Sequence, residues 1–130
     1  NHPNVIEGGK KPMHTIIPSF VMKNDKPFLS FGVMGGHYQP MGQAHVLSNM
    51  IDYDMDPQAS LDAPRTFYFD GILDCEKGIS EVTRDELTRI GHKINVCDLP
   101  HGGGQVIKFN DNGTLIGGSD PRKDGCAIGL

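Results

Sequence analysis

Two adjacent glycines, Gly35 and Gly36, lie where a strand-like stretch gives way to a helix-like one, in the sequence FLSFGVMGGHYQPMGQAHVLSNMI. The start of a helix leaves backbone N–H groups without partners, and the helix dipole favours negative charge there. Glycine also lets the backbone approach a ligand closely. The pair is therefore a candidate cradle for a phosphate, a carboxylate or a developing oxyanion. The residues alone favour a simpler interpretation, a tight turn that lets strand and helix pack.

The histidines and cysteines offer little further chemistry. Six histidines occur without an H-E-x-x-H motif and three cysteines without a C-x-x-C motif, so we predict neither a metal ion nor another cofactor. His37 lies inside the glycine loop, where its side chain can touch a substrate, whereas His45 is predicted on a helix surface. Cys75, Cys97 and Cys126 are interpreted as small core residues.

Other glycine motifs are incomplete. The chain has neither the G-x-x-x-x-G-K-[ST] nor the G-x-G-x-x-G phosphate-binding pattern. The run HGGGQ at residues 101–105 is similar to the oxyanion loop of lipases, but no G-x-S-x-G nucleophile motif accompanies it. We interpret this run as a flexible loop before a strand.

Composition limits the classes of function. The formal net charge of −4 over 130 residues gives no electrostatic case for binding nucleic acid or an anionic membrane. No apolar run approaches the roughly 20 residues that a membrane span needs. The chain starts Asn-His-Pro, without an initiator Met or a signal-peptide pattern, which indicates a processed product, a cloned fragment or the C-terminal piece of a longer protein. The compartment stays open between cytoplasmic, periplasmic and secreted.

The elements that must position the glycine pair are mixed α and β. Turn residues at Asn24-Asp25-Lys26, Asp70-Gly71 and Asn112-Gly113 indicate antiparallel hairpins. Strands are predicted over residues 15–23, 27–33, 65–69, 72–76, 93–97, 105–110 and 114–118. Pro18 places the first strand at a sheet edge or delays its start. The order lacks the regular βαβ units of a doubly wound nucleotide-binding fold.

Three helices are predicted. The first covers residues 39–53, because an apolar stripe recurs every three or four residues. Its members are Met41, Ala44, Leu47, Met50 and Ile51. A short second helix begins at residue 57 behind an Asp cap and ends at a proline, and a third runs over residues 80–90 behind a Ser cap.

Four spaced landmarks occur in order along the chain. They are KKP followed by a strand pattern, the Gly35-Gly36 turn before a helix, IDYDMDPQASLDAPR ending at Arg65, and GGSDPR from Gly117 to Arg122. Together they resemble the C-terminal half of the small subunit of γ-glutamyltranspeptidases, and the resemblance extends over nearly the whole chain. It implies an α+β fold, part of the αββα sandwich of N-terminal-nucleophile hydrolases with antiparallel sheets. Residues 12–130 are expected to be the C-terminal part of the small-subunit domain and residues 1–11 a connecting arm.

The resemblance also implies a mechanism. In that family a precursor cuts itself, and the new N-terminal Thr of the small subunit attacks a γ-glutamyl amide with its own amine as general base. The amides of the glycine pair stabilise the oxyanion, which assigns Gly35 and Gly36 as catalytic residues. The nucleophile belongs to a segment before Asn1, so this chain alone is expected to be inactive. Its expected partners are the large subunit, the N-terminal part of the small subunit and a small-molecule acyl amide.

Two positions depart from the family pattern. The family places two serines where this chain has His14 and Thr15, and these serines bind the α-carboxylate of the donor. Thr15 keeps a hydroxyl and His14 does not, which puts glutathione-type donors in doubt. His14, Thr15 and His37 are the expected substrate-binding residues, although His14 is equally well explained as a half-buried structural residue.

Three functions remain open: a γ-glutamyltransferase-like enzyme, a related acylase of the cephalosporin-acylase kind, and a non-catalytic module with the same fold. Arg65 is interpreted as structural, paired with Asp120 or Asp62, and Arg122 as part of the same locking turn. Tyr38 and Gln39 are expected to line the pocket. Half a sandwich exposes an apolar sheet face, so either self-association, as in a homo-oligomer, or poor stability is expected.

Overall fold

The computed structural model describes residues 2–129, and Asn1 and Leu130 lie outside the described residues. The described chain forms two sheets, three α-helices and one 3₁₀ turn. The elements are β1 Ser19–Lys23, β2 Lys26–Met34, the 3₁₀ turn Gly36–Tyr38, α1 Gln39–Ile51, α2 Pro57–Asp62, β3 Thr66–Phe69, β4 Ile72–Cys75, α3 Glu81–Arg89, β5 Ile94–Val96, β6 Gly103–Phe109 and β7 Leu115–Ser119.

The larger sheet is antiparallel, with strand order β1-β2-β6-β7. Asn24 and Asp25 have positive φ angles of +52° and +61° and form the two-residue turn between β1 and β2, as the turn residues predicted. The expected strand over residues 15–23 begins only at Ser19, just after Pro18, because proline has no N–H to donate to the ladder.

The smaller sheet, β3-β4-β5, contains a feature that the sequence analysis did not predict. β3 and β4 are antiparallel around Asp70-Gly71, but β4 and β5 are parallel. α3 lies between β4 and β5 in the chain, and a crossover of this kind brings the second strand back in the same direction. The chain therefore includes one βαβ unit beside its antiparallel hairpins.

The core fills the space between one face of the larger sheet and helices α1 and α2. Its buried side chains alternate along the strands and meet apolar residues of both helices. They are Leu29, Phe31, Val33, Tyr38, Val46, Met50, Leu61 and Val106. The predicted stripe of α1 is wrong in part, since Met41 and Ile51 are 52% and 54% exposed. The buried face instead runs through Gly42, Val46, Asn49 and Met50.

The opposite face of the larger sheet is open. Phe20 and Ile107 lie on this face and are 55% and 43% exposed. A groove of about 1380 Å³ runs along it, bordered on one side by residues 16–18 and on the other by residues 126–129. A sheet face of this kind is ordinarily covered by another layer.

The helix caps, the HGGGQ run and the cysteines were also predicted from the sequence. Asp56 and Ser80 cap α2 and α3 through bonds to Ala59 N and Thr83 N, as predicted. The HGGGQ run is not a loop throughout, because β6 begins at Gly103. The cysteine prediction is confirmed at Cys75 and wrong elsewhere, because Cys97 is only partly buried and Cys126 is exposed.

Candidate functional site

The glycine pair forms a tight turn between β2 and α1. Gly35 and Gly36 have φ angles of +131° and +57°, in the region that favours glycine. The N–H of Tyr38 donates to the carbonyl of Gly35 at 3.0 Å, which closes the 3₁₀ turn. The conformation of the turn explains why two glycines stand at this strand-to-helix junction.

Among the described residues, the two amides at the corner of this turn have no protein acceptor. Within residues 2–129, no turn, loop or side-chain hydrogen bond has the N–H of Gly35 or Gly36 as its donor. A Cβ atom at Gly36 would meet no other atom within 4 Å. The turn therefore presents two amides without an acceptor among the described residues, with open space at Gly36, an arrangement that suits an anion or a developing oxyanion.

The glycine turn packs closely against Gly102 and the Tyr38 side chain. A Cβ at Gly35 would lie 3.0 Å from Gly102 Cα and 3.3 Å from Tyr38 Cβ. A Cβ at Gly102, whose φ is +61°, would collide with the carbonyl oxygen of Met34. Gly42 makes room for the Tyr38 ring, because a Cβ there would lie 2.6 Å from Cε1. Three glycines from separate elements thus allow the turn, the ring and the residues before β6 to touch.

A buried cluster of four charged residues lies beside these glycines; we call it the charge cluster, and it comprises Arg65, Glu76, Asp120 and Arg122. Arg65 and Asp120 are fully buried, with Arg65 Nη2 2.5 Å from Asp120 Oδ2. Arg122 binds Glu76 in a bidentate manner, at 2.9 Å from Nε and 2.5 Å from Nη2. The four formal charges cancel, which is what makes their burial tolerable. Of the two partners predicted for Arg65, Asp120 is confirmed.

The charge cluster also holds the segment that touches the glycine turn. The Glu76 carboxylate accepts the N–H of His101 at 2.9 Å, and Arg65 donates to the carbonyl of His101 at 2.7 Å. Both backbone groups of His101 are therefore fixed by charged partners. Because Gly102 follows His101 and packs against Gly35, the charge cluster positions the turn through this contact.

Hydrogen bonds keep both carboxyl groups of the charge cluster ionised. Burial acts to raise the pKa of Glu76, but hydrogen bonds from Arg122 and from two backbone amides hold that pKa below its ordinary value. Burial likewise acts to raise the pKa of Asp120, and the backbone N–H of Arg122, the charge of Arg65 and the N–H of Gly104 outweigh it. Both groups are negatively charged near neutral pH.

Two buried polar groups belong to the 3₁₀ turn and to α1. The Tyr38 hydroxyl and His45 Nε2 are buried and have no hydrogen-bond partner among the residues described. Burial raises the pKa of Tyr38 to about 12 and lowers the pKa of His45 from its ordinary 6.5. The prediction of His45 on the surface of α1 is wrong, since its side chain is partly buried. Tyr38 is 2% exposed and does not line an open pocket.

The structure brings some of the predicted substrate-binding residues to the turn. Gln39 Nε2 donates to the Thr15 carbonyl at 2.9 Å and to the Gly36 carbonyl at 3.3 Å. One side chain therefore ties Thr15 to the glycine pair. His37 is exposed at the corner of the turn and stacks on Phe69, with ring centroids 5.3 Å apart. His14 is exposed in the irregular segment before β1, next to Thr15, so its interpretation as a half-buried structural residue is wrong.

Within residues 2–129, no group of three or more His, Cys, Asp or Glu side chains is arranged to hold a metal ion. None of the helices in that range has the length and apolar character needed to cross a membrane.

Two supporting residues, Glu76 and Gly102, were not predicted from the sequence. Glu76 links Arg122 to the backbone of His101, yet nothing in its sequence neighbourhood distinguishes it from a surface Glu at the end of a strand. Gly102 was assigned to a flexible loop. The adjacent glycines in HGGGQ were a usable signal, because such runs also mark places where backbone approaches backbone.

Comparison with known proteins places the chain in a family. All of residues 1–130 match the family profile described as Gamma-glutamyltranspeptidase. The Glutathione hydrolase-like YwrD proenzyme of Bacillus subtilis is 35% identical over 140 residues, an alignment that covers 100% of this chain and 26% of that relative. The chain thus spans about a quarter of the length of this relative.

Solved structures agree with this assignment. The cephalosporin acylase from Bacillus halodurans superposes with a TM-score of 0.84 at 44% identity, covering 97% of this chain and 24% of the acylase chain. The Helicobacter pylori γ-glutamyltranspeptidase T380A mutant superposes with a TM-score of 0.80 at 33% identity, covering 95% of this chain and 69% of that chain. The fold is that of the N-terminal-nucleophile hydrolases, as the sequence predicted. The chain belongs to the γ-glutamyltranspeptidase family.

Proposed function

We propose that this chain is the C-terminal segment of an enzyme that hydrolyses or transfers a γ-glutamyl or related acyl amide, and that Gly35 and Gly36 supply its oxyanion hole. The observation that carries the proposal is the pair of amides between β2 and α1 that have no acceptor among the described residues, with open space at Gly36. Preorganised N–H donors of this kind stabilise the charge that develops on a carbonyl oxygen during acyl transfer.

The remaining chemistry requires a nucleophile from an upstream segment of the same precursor. Its N-terminal Thr hydroxyl forms a bond to the acyl carbon while its own α-amine takes the proton. The carbonyl oxygen becomes an oxyanion and accepts from the amides of Gly35 and Gly36. The C–N bond then breaks, and the amine leaves with the proton. Water or the amine of an acceptor attacks the acyl-enzyme and regenerates the Thr. On this account the chain alone does not turn over substrate.

The open face of the larger sheet supports a partner of this origin. Phe20, Ile107 and Leu115 are large, apolar and 43–60% exposed on strands whose other face contributes to the core. Covering them removes apolar area from water and contributes to stability. We assign this face to the upstream segments of the precursor, with residues 12–130 as one domain and residues 1–11 as its connecting arm. Alternatively, a second copy of this chain in a homo-oligomer packs against this sheet face.

His14, Thr15 and His37 are our candidates for substrate binding. Thr15 is tied to Gly36 through Gln39 and keeps a hydroxyl, whereas His14 offers no hydroxyl for an α-carboxylate. This departure favours a second candidate function, an acylase that accepts a non-glutamyl acyl group. The 44% identity to the cephalosporin acylase supports the same candidate.

The test uses the complete protein as its source makes it. Intact mass and N-terminal sequencing are expected to find a processed chain that begins with Thr upstream of Asn1. Incubation with an acyl-trapping glutamine analogue is expected to add one adduct to that chain. A protein that is processed nowhere and forms no adduct with any acyl trap is a non-catalytic module. A panel of anilides then separates the candidates, because an acylase ignores the γ-glutamyl anilide and cuts another acyl anilide.

A further inference from the structure

A row of stacked rings ends at the glycine turn. Phe67 and Phe69 of β3 stack with centroids 5.6 Å apart and planes at 21°. His37 continues the stack on Phe69 at 5.3 Å and 20°. The rings of His37, Phe69 and Phe67, which we call the aromatic row, are therefore nearly parallel. The Phe67 ring, at the inner end of the row, packs edge-on against the rings of Tyr38 and His101, with centroid distances of 5.4 Å and 5.5 Å.

The aromatic row is anchored by the same parts that fix the turn. Tyr38 is 2% exposed and closes the turn through its N–H. His101 is held at both backbone groups by the charge cluster. The rings are therefore held in a fixed position relative to the amides of Gly35 and Gly36. Such preorganisation lowers the entropic cost of binding a ligand.

The outer end of the aromatic row is exposed. Phe69 is 53% exposed although it is a large apolar residue at the end of a strand. His37 is also exposed and directly follows Gly36, so the two Cα atoms are only about 3.8 Å apart. Apart from its two chain neighbours, no residue comes within 4 Å of a Cβ built at Gly36. A carbonyl bound at the amides therefore has substituents within reach of the outer rings.

Resting on the proposed function, we propose that the outer end of the aromatic row binds a flat ring of the substrate. The enzyme then prefers amides that carry an aromatic or heteroaromatic ring within a few bonds of the scissile carbonyl. A flat ring extends the stack in the offset geometry that aromatic pairs favour. A puckered ring of equal size presents no flat face and loses this contact. The ring can belong to the acyl group or to the amine, and the two sources are separated below.

The experiment measures kcat/KM of the complete, processed protein on matched substrates. In one pair the acyl group is phenylacetyl or cyclohexylacetyl on a common amine. In the other pair the amine is benzylamine or cyclohexylmethylamine on a common acyl group. We expect a preference of about two- to tenfold for the flat member of one pair, the size of a stacked aromatic contact. The pair that shows the preference identifies the side of the substrate that reaches the rings.

Three variants assign the preference to the aromatic row. His37→Leu and Phe69→Leu are each expected to abolish it, while His37→Phe keeps it because the ring stays flat. Tyr68→Leu is the matched control. Tyr68 is 56% exposed but lies on the opposite face of β3, against His92, and its replacement is expected to leave the preference within twofold of wild type.

Two results overturn the proposal. One is an equal rate for flat and puckered members of both pairs in the wild-type protein. The other is that His37→Leu and Phe69→Leu block processing or subunit assembly, since the rings then pack against another segment.

A failure of the proposed acyl transfer can be distinguished from a failure of the ring site. If the protein forms no acyl-enzyme, ligand-detected NMR with phenylacetate and cyclohexylacetate tests the rings alone. Binding of phenylacetate that Phe69→Leu abolishes retains the ring site without acyl transfer, and equal binding of both acids removes the ring site as well.

Discussion

Replacing Asp120 with Asn removes one charge from the charge cluster and leaves the side-chain size unchanged. Asp120 is fully buried, and its oxygens accept from Arg65 Nη2 at 2.5 Å, Gly104 N at 2.8 Å and Arg122 N at 3.0 Å. Asn offers one acceptor oxygen and an NH₂ donor. In either amide orientation at least one of the present donors therefore faces a donor, and the cluster acquires a net positive charge in a buried site.

The expected cost follows from this burial. Removing one partner of a buried ion pair costs about 3–5 kcal/mol, a large part of the roughly 5–15 kcal/mol that stabilises a typical protein. Asp98→Asn is the matched control. Asp98 also pairs with a cation, Lys77, at 3.2 Å, but the two side chains are 93% and 70% exposed. Such a surface pair contributes between about 0 and 1 kcal/mol.

Hydrogen exchange on the complete protein measures how strongly each substitution destabilises the region around the Gly104 amide. The N–H of Gly104 loses its carboxylate acceptor in Asp120→Asn, so the peptide that contains it is expected to exchange at least about a hundredfold faster, the equivalent of 3 kcal/mol. Asp98→Asn is expected to exchange as wild type does. Equal exchange in the two variants refutes the argument that the buried charges stabilise this region. If Asp120→Asn does not fold, the paired change Arg65→Met with Asp120→Leu is expected to restore folding, because it leaves no charge of this pair unpaired.

Two further predictions concern acid and the packed glycines. The pKa values of Glu76 and Asp120 lie below their ordinary 4.5 and 3.8, so the free energy of unfolding includes their full contribution above those values and loses it as the pH falls through the lower folded pKa values. Because the pKa of His45 is lowered, the free energy of unfolding also declines as the pH falls below the ordinary pKa of 6.5. Urea unfolding at pH 8, 5.5 and 3 measures the contributions of His45 and of the two carboxyl groups. Unchanged stability at pH 3 contradicts the prediction. Gly102→Ala places a Cβ against the Met34 carbonyl and 2.8 Å from Tyr38 Cδ1, so we expect lower thermal stability and at least a tenfold slower acylation. Gly113→Ala, at φ +83° with nothing within 4 Å, is the control and is expected to cost about 1–2 kcal/mol without slowing acylation.

Much of the local structure could be predicted from the sequence because it depends on short-range signals. The Asp56 cap, the Asn24-Asp25 turn and the delayed start of the first strand after Pro18 each depend on the chemistry of one or two residues. The ordered landmarks through Gly35-Gly36 and Arg65 were enough to identify the family.

The long-range arrangement could not be predicted in the same way. The buried face of α1 runs through Gly42 and Asn49 because Tyr38 and Ser60 pack there, and periodicity contains no information about those partners. The parallel pairing of β4 with β5 depends on the path of α3. Glu76 acts through His101, 25 residues away in the chain, and a single sequence does not record such a contact.

The pre-steady-state acylation rate of Gly36→Val, compared with Gly113→Val, tests the central claim most directly. Both glycines have left-handed φ angles, +57° and +83°, and a Cβ at either position meets nothing within 4 Å of this chain. Both variants are therefore expected to lose similar backbone stability. If the Gly36 amide binds the oxyanion of an acyl substrate, a side chain there crowds the acyl carbonyl, and acylation by the complete protein falls by a factor of about 10²–10³. Gly113→Val is expected to acylate at the wild-type rate. Wild-type acylation by Gly36→Val, or equal losses in both variants, contradicts the assignment of the glycine turn as the oxyanion hole.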